Sequence, residues 1–110
     1  YSKKLNDEVV DFFKKNNFKV LSNYYLDIKS DKKIGQIDKK NLLKILSNLE
    51  YKNVDAVFLS CTALPVLTII EKLEKKINKI VITSNQALIW DTFRSINKST
   101  SIKGYGKLLR

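Results

Sequence analysis

Val54-Asp55-Ala56-Val57-Phe58-Leu59-Ser60-Cys61-Thr62-Ala63-Leu64-Pro65 is the stretch that decides how the chain folds. Its first half is rich in β-branched and aromatic residues, the composition of a strand buried on both faces. Three small polar residues, Ser60, Cys61 and Thr62, then break the run. Pro65 follows, and proline suits the first turn of a helix, where its missing N–H would have had no partner. The stretch predicts a strand-to-helix turn carrying Cys61, the one cysteine in the chain. Amides at a helix start are unpaired and carry positive partial charge, so they stabilise an anion beside them, thiolate or carboxylate. Those residues in that order point to cysteine acid/base chemistry on a small carboxylate.

Downstream, Leu67, Ile70, Leu73 and Ile77 recur at helical spacing, predicting a helix from Pro65 to about Lys76. Lys79 to Thr83 reads as a second β-branched strand, and Ser84-Asn85 as the cap of a helix with Leu88, Ile89, Trp90 and Phe93. From Asn97 onward the chain is small and polar, ending in Gly104-Tyr105-Gly106-Lys107-Leu108-Leu109 before Arg110. Upstream, Asp38 caps a predicted helix with Leu42, Leu43, Ile45, Leu46 and Leu49 facing inward. Ser30 to Gly35 is turn-like, and Phe18 to Leu21 reads as a short strand running into an extended stretch through Tyr24, Tyr25 and Leu26. Ser2 caps a first helix with Leu5, Val9, Phe12 and Phe13 on one face, stopped by Asn16-Asn17.

Helices and strands alternate, the connections are long enough for helical crossovers, and no hairpin signal occurs. That pattern predicts an α/β lobe of three layers, a parallel sheet of about four strands between helices. Ligands of such sheets gather at the carboxyl ends of the strands. Ser60-Cys61-Thr62 and Thr83-Ser84-Asn85-Gln86 both lie there, and their strands are consecutive, so the two turns are expected to be neighbours.

At 110 residues the chain is one domain with a modest core. No apolar run approaches the length that crosses a bilayer. A single unpaired cysteine suits a reducing compartment, and a cytoplasmic location is expected. The chain lacks methionine even at position 1, so a piece of something longer is expected. The net charge of +10 invites a nucleic-acid reading, but 19 of the 21 basic residues are lysine. Nucleic-acid readers lean on arginine forks and interleaved aromatics. Here the lysines fall in pairs such as Lys14-Lys15 and Lys75-Lys76 on predicted solvated faces, so no nucleic-acid partner is expected. With no histidine, a Cys–His hydrolase and a histidine metal site are excluded within the chain. The three glycines are scattered, so no glycine-rich phosphate loop exists.

Each candidate has a plainer role beside the chemical one. A lone cysteine is commonly a small buried hydrophobe. Ser60, Thr62, Asn85 and Gln86 are all good capping residues. Tyr1, Tyr24 and Tyr25 are by default amphipathic packing residues.

The run from Val54 to Leu64, Ile70-Glu71-Lys72-Leu73-Glu74, Thr83-Ser84-Asn85-Gln86-Ala87 with Trp90, and Gly104-Tyr105-Gly106-Lys107-Leu108 together resemble one family. They are similar, in order and spacing, to the carboxyl half of the aspartate/glutamate racemase superfamily. The resemblance is to its branch of maleate cis-trans isomerase, arylmalonate decarboxylase and ectoine-utilisation racemase-like proteins, and it spans essentially the whole chain.

The resemblance implies a cofactor-independent enzyme of two similar lobes, with its active site in the cleft between them. Residues 1–101 would form the second lobe, and the tail 102–110 would contact the missing amino-terminal lobe. Cys61 would be its thiol acid/base, acting at the carbon beside a carboxylate of a small dicarboxylic or amino acid. Thr62 would offer its backbone N–H to that carboxylate and Tyr1 its hydroxyl, while Ser60, Asn85 and Gln86 would brace the turn. Neither cofactor nor metal nor membrane is implied, a homo-oligomer is compatible, and the lobe alone is expected to lack turnover. A glycine in place of the other lobe's cysteine would make the enzyme a decarboxylase with Cys61 as sole proton donor. From a different class, the basic chain would be a non-catalytic α/β binding module.

Overall fold

The computed structural model describes every residue from Tyr1 to Arg110. Two strands, β1 (Ala56–Leu59) and β2 (Ile80–Thr83), pair in parallel, with Ala56 against Ile80 and Leu59 against Thr83. Parallel neighbours need a crossover, and α4 (Ile70–Ile77) supplies it. Before β1 come α1 (Lys3–Lys15), α2 (Asp31–Gly35) and α3 (Lys39–Ser47). After β2 come α5 (Ser84–Ser95) and a 3-10 turn over Lys107–Leu109. The chain is α/β with a small parallel sheet, and no helix is long and apolar enough to cross a membrane.

One sheet face carries the core. Val57, Leu59 and Val81 meet Leu42 and Leu46 of α3, Ile70 and Leu73 of α4, and the intervening Val66 and Ile69. The spacing in α3 and α4 puts those side chains on one side of each helix. Ile45, expected inside, lies off that stripe and is 46% exposed. On the other face Phe58 meets Phe13 of α1 in a T-shaped contact, centroids 5.1 Å apart, yet stays 41% exposed. So β1 is buried on one face rather than two, because α1, with no buried residue of its own, covers the second face thinly.

Two further expectations are corrected. The sheet has two strands, not about four. From Lys19 to Lys29 no backbone group bonds to another backbone group, and Phe18 and Leu21 are exposed. A strand persists where a ladder and a buried face offset its ordering cost, and that segment has neither. Pro65 also does not open a helix. The chain first passes through tight turns, Val66 N–H to Leu64 C=O at 2.8 Å and Ile69 N–H to Val66 C=O at 2.9 Å. Val66, Thr68 and Ile69 are β-branched and resist helix, and the turns deliver Val66 and Ile69 into the core.

Caps follow the sequence closely. Ser2 accepts from Leu5 N–H, Asp38 from Asn41 N–H, and Asn16 closes α1 before Asn17 turns left-handed at φ 68°. Ser30 caps α2, the single helical turn where only a loop was expected. The cap of α5 is Thr83 rather than Ser84, in a reciprocal box: Gln86 N–H donates to Thr83 Oγ1 and Thr83 N–H to Gln86 Oε1.

The tail folds back onto its own lobe. Glu71 accepts from Gly104 N–H at 3.1 Å, Gln86 Nε2 donates to Tyr105 C=O, and Leu109 is buried. Glu74, 4% exposed, joins three elements, accepting from Val81 N–H at 3.1 Å and from Lys107 N–H at 2.9 Å. Its carboxylate is therefore satisfied by amides rather than by a cation. Glu74→Ala orphans both donors and is expected to cost about 2–3 kcal/mol. Urea unfolding checks it, and an unchanged midpoint contradicts it.

Candidate active site

Cys61 lies just beyond the carboxyl end of β1, with a backbone φ of 149°. That region crowds any residue with a Cβ and costs about 1–3 kcal/mol. Such a conformation survives only where the surroundings impose it, and here each residue of the turn is tied down. Ser60 Oγ donates to the Tyr1 hydroxyl at 3.1 Å, Cys61 N–H to Ser84 Oγ at 3.2 Å, and Asn85 Nδ2 to Thr62 C=O at 3.0 Å. Leu64 N–H closes the next turn on Cys61 C=O. Strands β1 and β2 make this possible, since pairing Leu59 with Thr83 sets the two following turns side by side.

The helix start at the cysteine thus belongs to α5, not to the helix after Pro65. Ser84 is the first residue of α5, so the positive end of that dipole faces the Cys61 turn through the Ser84 hydroxyl. Neither Thr62 nor Ala63 donates its N–H to another backbone group, which leaves both amides for an anion. Cys61 itself is 7% exposed, between half-buried Ser60 and exposed Thr62. Tyr1 is half-buried and forms part of the wall of a depression of about 470 Å³, with Lys4, Leu5, Ile28, Lys29 and Ile34. A second depression, about 520 Å³ at the carboxyl end of α5, contains none of the predicted site residues.

Tyr1, Ser60, Cys61, Thr62 and Asn85 are therefore brought together by the hydrogen bonds of one turn. Gln86 makes no hydrogen bond to the Cys61 turn. Fully buried, it builds the α5 cap and holds the tail. Ser84 was passed over as a helix cap, although its place opposite Ser60-Cys61 follows from aligning the ends of two consecutive parallel strands.

The sequence profile of the arylmalonate decarboxylase family matches residues 1–109. The chain belongs to that family. Among its relatives, the maleate isomerase of Geobacillus stearothermophilus is 28% identical over 110 residues, covering 99% of this chain and 44% of that protein. The crystal structure of the maleate isomerase Iso from Pseudomonas putida S16 superposes with a TM-score of 0.93 at 29% identity, over 99% of this chain and 44% of its own. A Nocardia farcinica maleate cis-trans isomerase, 24% identical with a TM-score of 0.92, shares the fold, and its structure, of a mutant with one cysteine replaced by serine, holds a covalently bound succinylcysteine intermediate. The chain spans under half the length of the relatives it matches. Family and branch agree with the resemblance read from the motifs, as does a span the size of one of two lobes.

Proposed function

We propose that the chain is one lobe of a cofactor-independent isomerase acting beside a carboxylate of a small dicarboxylic acid, with Cys61 as the reacting thiol. The observation that carries this reading is the strained Cys61 in a turn clamped at three points, followed by two free amides. Thr62 N–H, Ala63 N–H and the Tyr1 hydroxyl would hold the carboxylate. Maleate-like diacids are the favoured substrates because relatives at 28% and 29% identity are maleate isomerases.

In the proton-transfer form, the thiolate takes a proton from the carbon beside the carboxylate. The electron pair moves into that carboxylate, and an acid on the opposite face returns a proton. In the addition form, the thiolate attacks one alkene carbon of a cis diacid, forming a C–S bond while the π pair moves into the adjacent carboxylate. Rotation about the resulting single bond, return of the pair and cleavage of C–S release the trans alkene and the thiolate. The succinylcysteine in the Nocardia relative formed in a variant with one cysteine already changed to serine, so it sits on another cysteine. It supports thiol addition to an unsaturated diacid and leaves room for the C–S bond to form on the partner lobe's cysteine while Cys61 handles the proton. In a decarboxylase, loss of carbon dioxide would leave the same enediolate, protonated by Cys61. All three routes put charge on the carboxylate, where preorganised donors help most.

The opposite face of the substrate would be served by a partner lobe, with the outer side of the 102–110 tail against it, in a cytoplasmic enzyme that also tolerates self-association. The test is turnover by the intact enzyme of maleate to fumarate, of aspartate or glutamate to its mirror image, and of an arylmalonate to the arylacetate. Conversion of maleate is the expected result, and failure to convert any of the three overturns the proposal.

A further inference from the structure

We infer that Ser84 is a positioning residue for Cys61, an inference that rests on reading Cys61 as the reacting thiol. A serine at the first residue of α5 has no capping duty here, because Thr83 and Gln86 already complete the cap. Its hydroxyl instead accepts from Cys61 N–H at 3.2 Å, across 23 residues of sequence. Ser84 cannot drift: the Leu59–Thr83 pairing holds it on one side and the buried Gln86 holds the helix start on the other. It is a fixed acceptor that captures the amide of a residue held at φ 149°.

Two effects follow. The bond pins the backbone that carries the thiol, at the position where that backbone is most strained. It also takes the Cys61 amide out of the group that can hold a carboxylate, leaving those of Thr62 and Ala63. Ser84 acts on the substrate through Cys61, so its loss displaces the reacting atom and leaves the binding groups in place.

In the intact enzyme, Ser84→Ala is expected to lower kcat for maleate by about 10- to 100-fold, the cost of a misplaced reacting group. KM should stay within about twofold, since no substrate contact is lost. Ser84→Thr keeps the hydroxyl acceptor and should recover most of kcat. A readout without substrate runs beside it: hydrogen exchange at the Cys61 amide should quicken by about tenfold or more in Ser84→Ala and return toward the native rate in Ser84→Thr. Unchanged exchange, native kcat in Ser84→Ala, or a raised KM with native kcat each overturns the role. Cys61→Ala separates the two levels. If it retains native turnover, the thiol reading falls; if it is inactive while Ser84→Ala is native, only the Ser84 inference falls.

Discussion

Gly106→Ala is expected to remove about 3–5 kcal/mol from the stability of the lobe, a large share of the ~5–15 kcal/mol a domain holds in total. Gly106 sits at φ 92°, where a side chain is strained whatever its surroundings. An added Cβ would also lie 2.6 Å from Ile70 Cγ2, 2.8 Å from Gln86 Nε2 and 3.0 Å from Glu74 Oε1. None of those neighbours can yield freely. Ile70 is in the core, Gln86 caps α5 and holds Tyr105, and Glu74 holds Val81 and Lys107. Gly104→Ala is the control, because its φ of 96° carries the same kind of backbone strain with nothing within 4 Å of the new methyl. Urea denaturation should rank Gly106→Ala well below Gly104→Ala. Equal midpoints would mean that the tail is not packed as described.

Cys61→Ala is the second large effect, on chemistry rather than folding. Turnover by the intact enzyme should fall by about 10²–10⁴-fold, the range expected when a positioned proton-transfer group is removed. Stability should change little, because alanine inherits the strained φ of 149°. Cys61→Gly should be as inactive but about 1–2 kcal/mol more stable than Cys61→Ala, since glycine adopts that backbone without penalty. Steady-state rates and thermal melts on the pair read both halves of the expectation. An active alanine variant removes the thiol from the mechanism, and a glycine variant no more stable than alanine removes the strain.

What the sequence made legible was local. Ser2 and Asp38 named their helices because a capping hydroxyl or carboxylate needs only the next few residues. The Ile80–Thr83 strand and the Cys61 turn were readable for the same reason, and consecutive parallel strands implied that the turns after them would meet. What required neighbours distant in sequence was not readable. Phe18 to Leu21 has the composition of a strand, but a ladder partner decides the matter and none is present. Pro65 has the credentials of a helix start, yet packing Val66 and Ile69 into the core displaced the helix to Ile70. Glu74 carries no local sign of burial, because the tail amide it accepts from lies 33 residues away. Ser84 belonged to both worlds, a cap by composition and a cysteine clamp by register.

The two-membered sheet has a practical consequence for handling the protein. The outer amides of β2 at Val81 and Thr83 are given to Glu74 and Gln86, but β1 has no strand on its far side, and such sides attract the same groups on another molecule. The net charge of +10 opposes that meeting by mutual repulsion. Repulsion of this kind reaches about 10 Å at 0.1 M salt and about 3 Å at 1 M. Dilute buffer should therefore keep the protein dispersed, and concentrated salt should bring it out of solution by letting the open side of β1 meet its like on another copy.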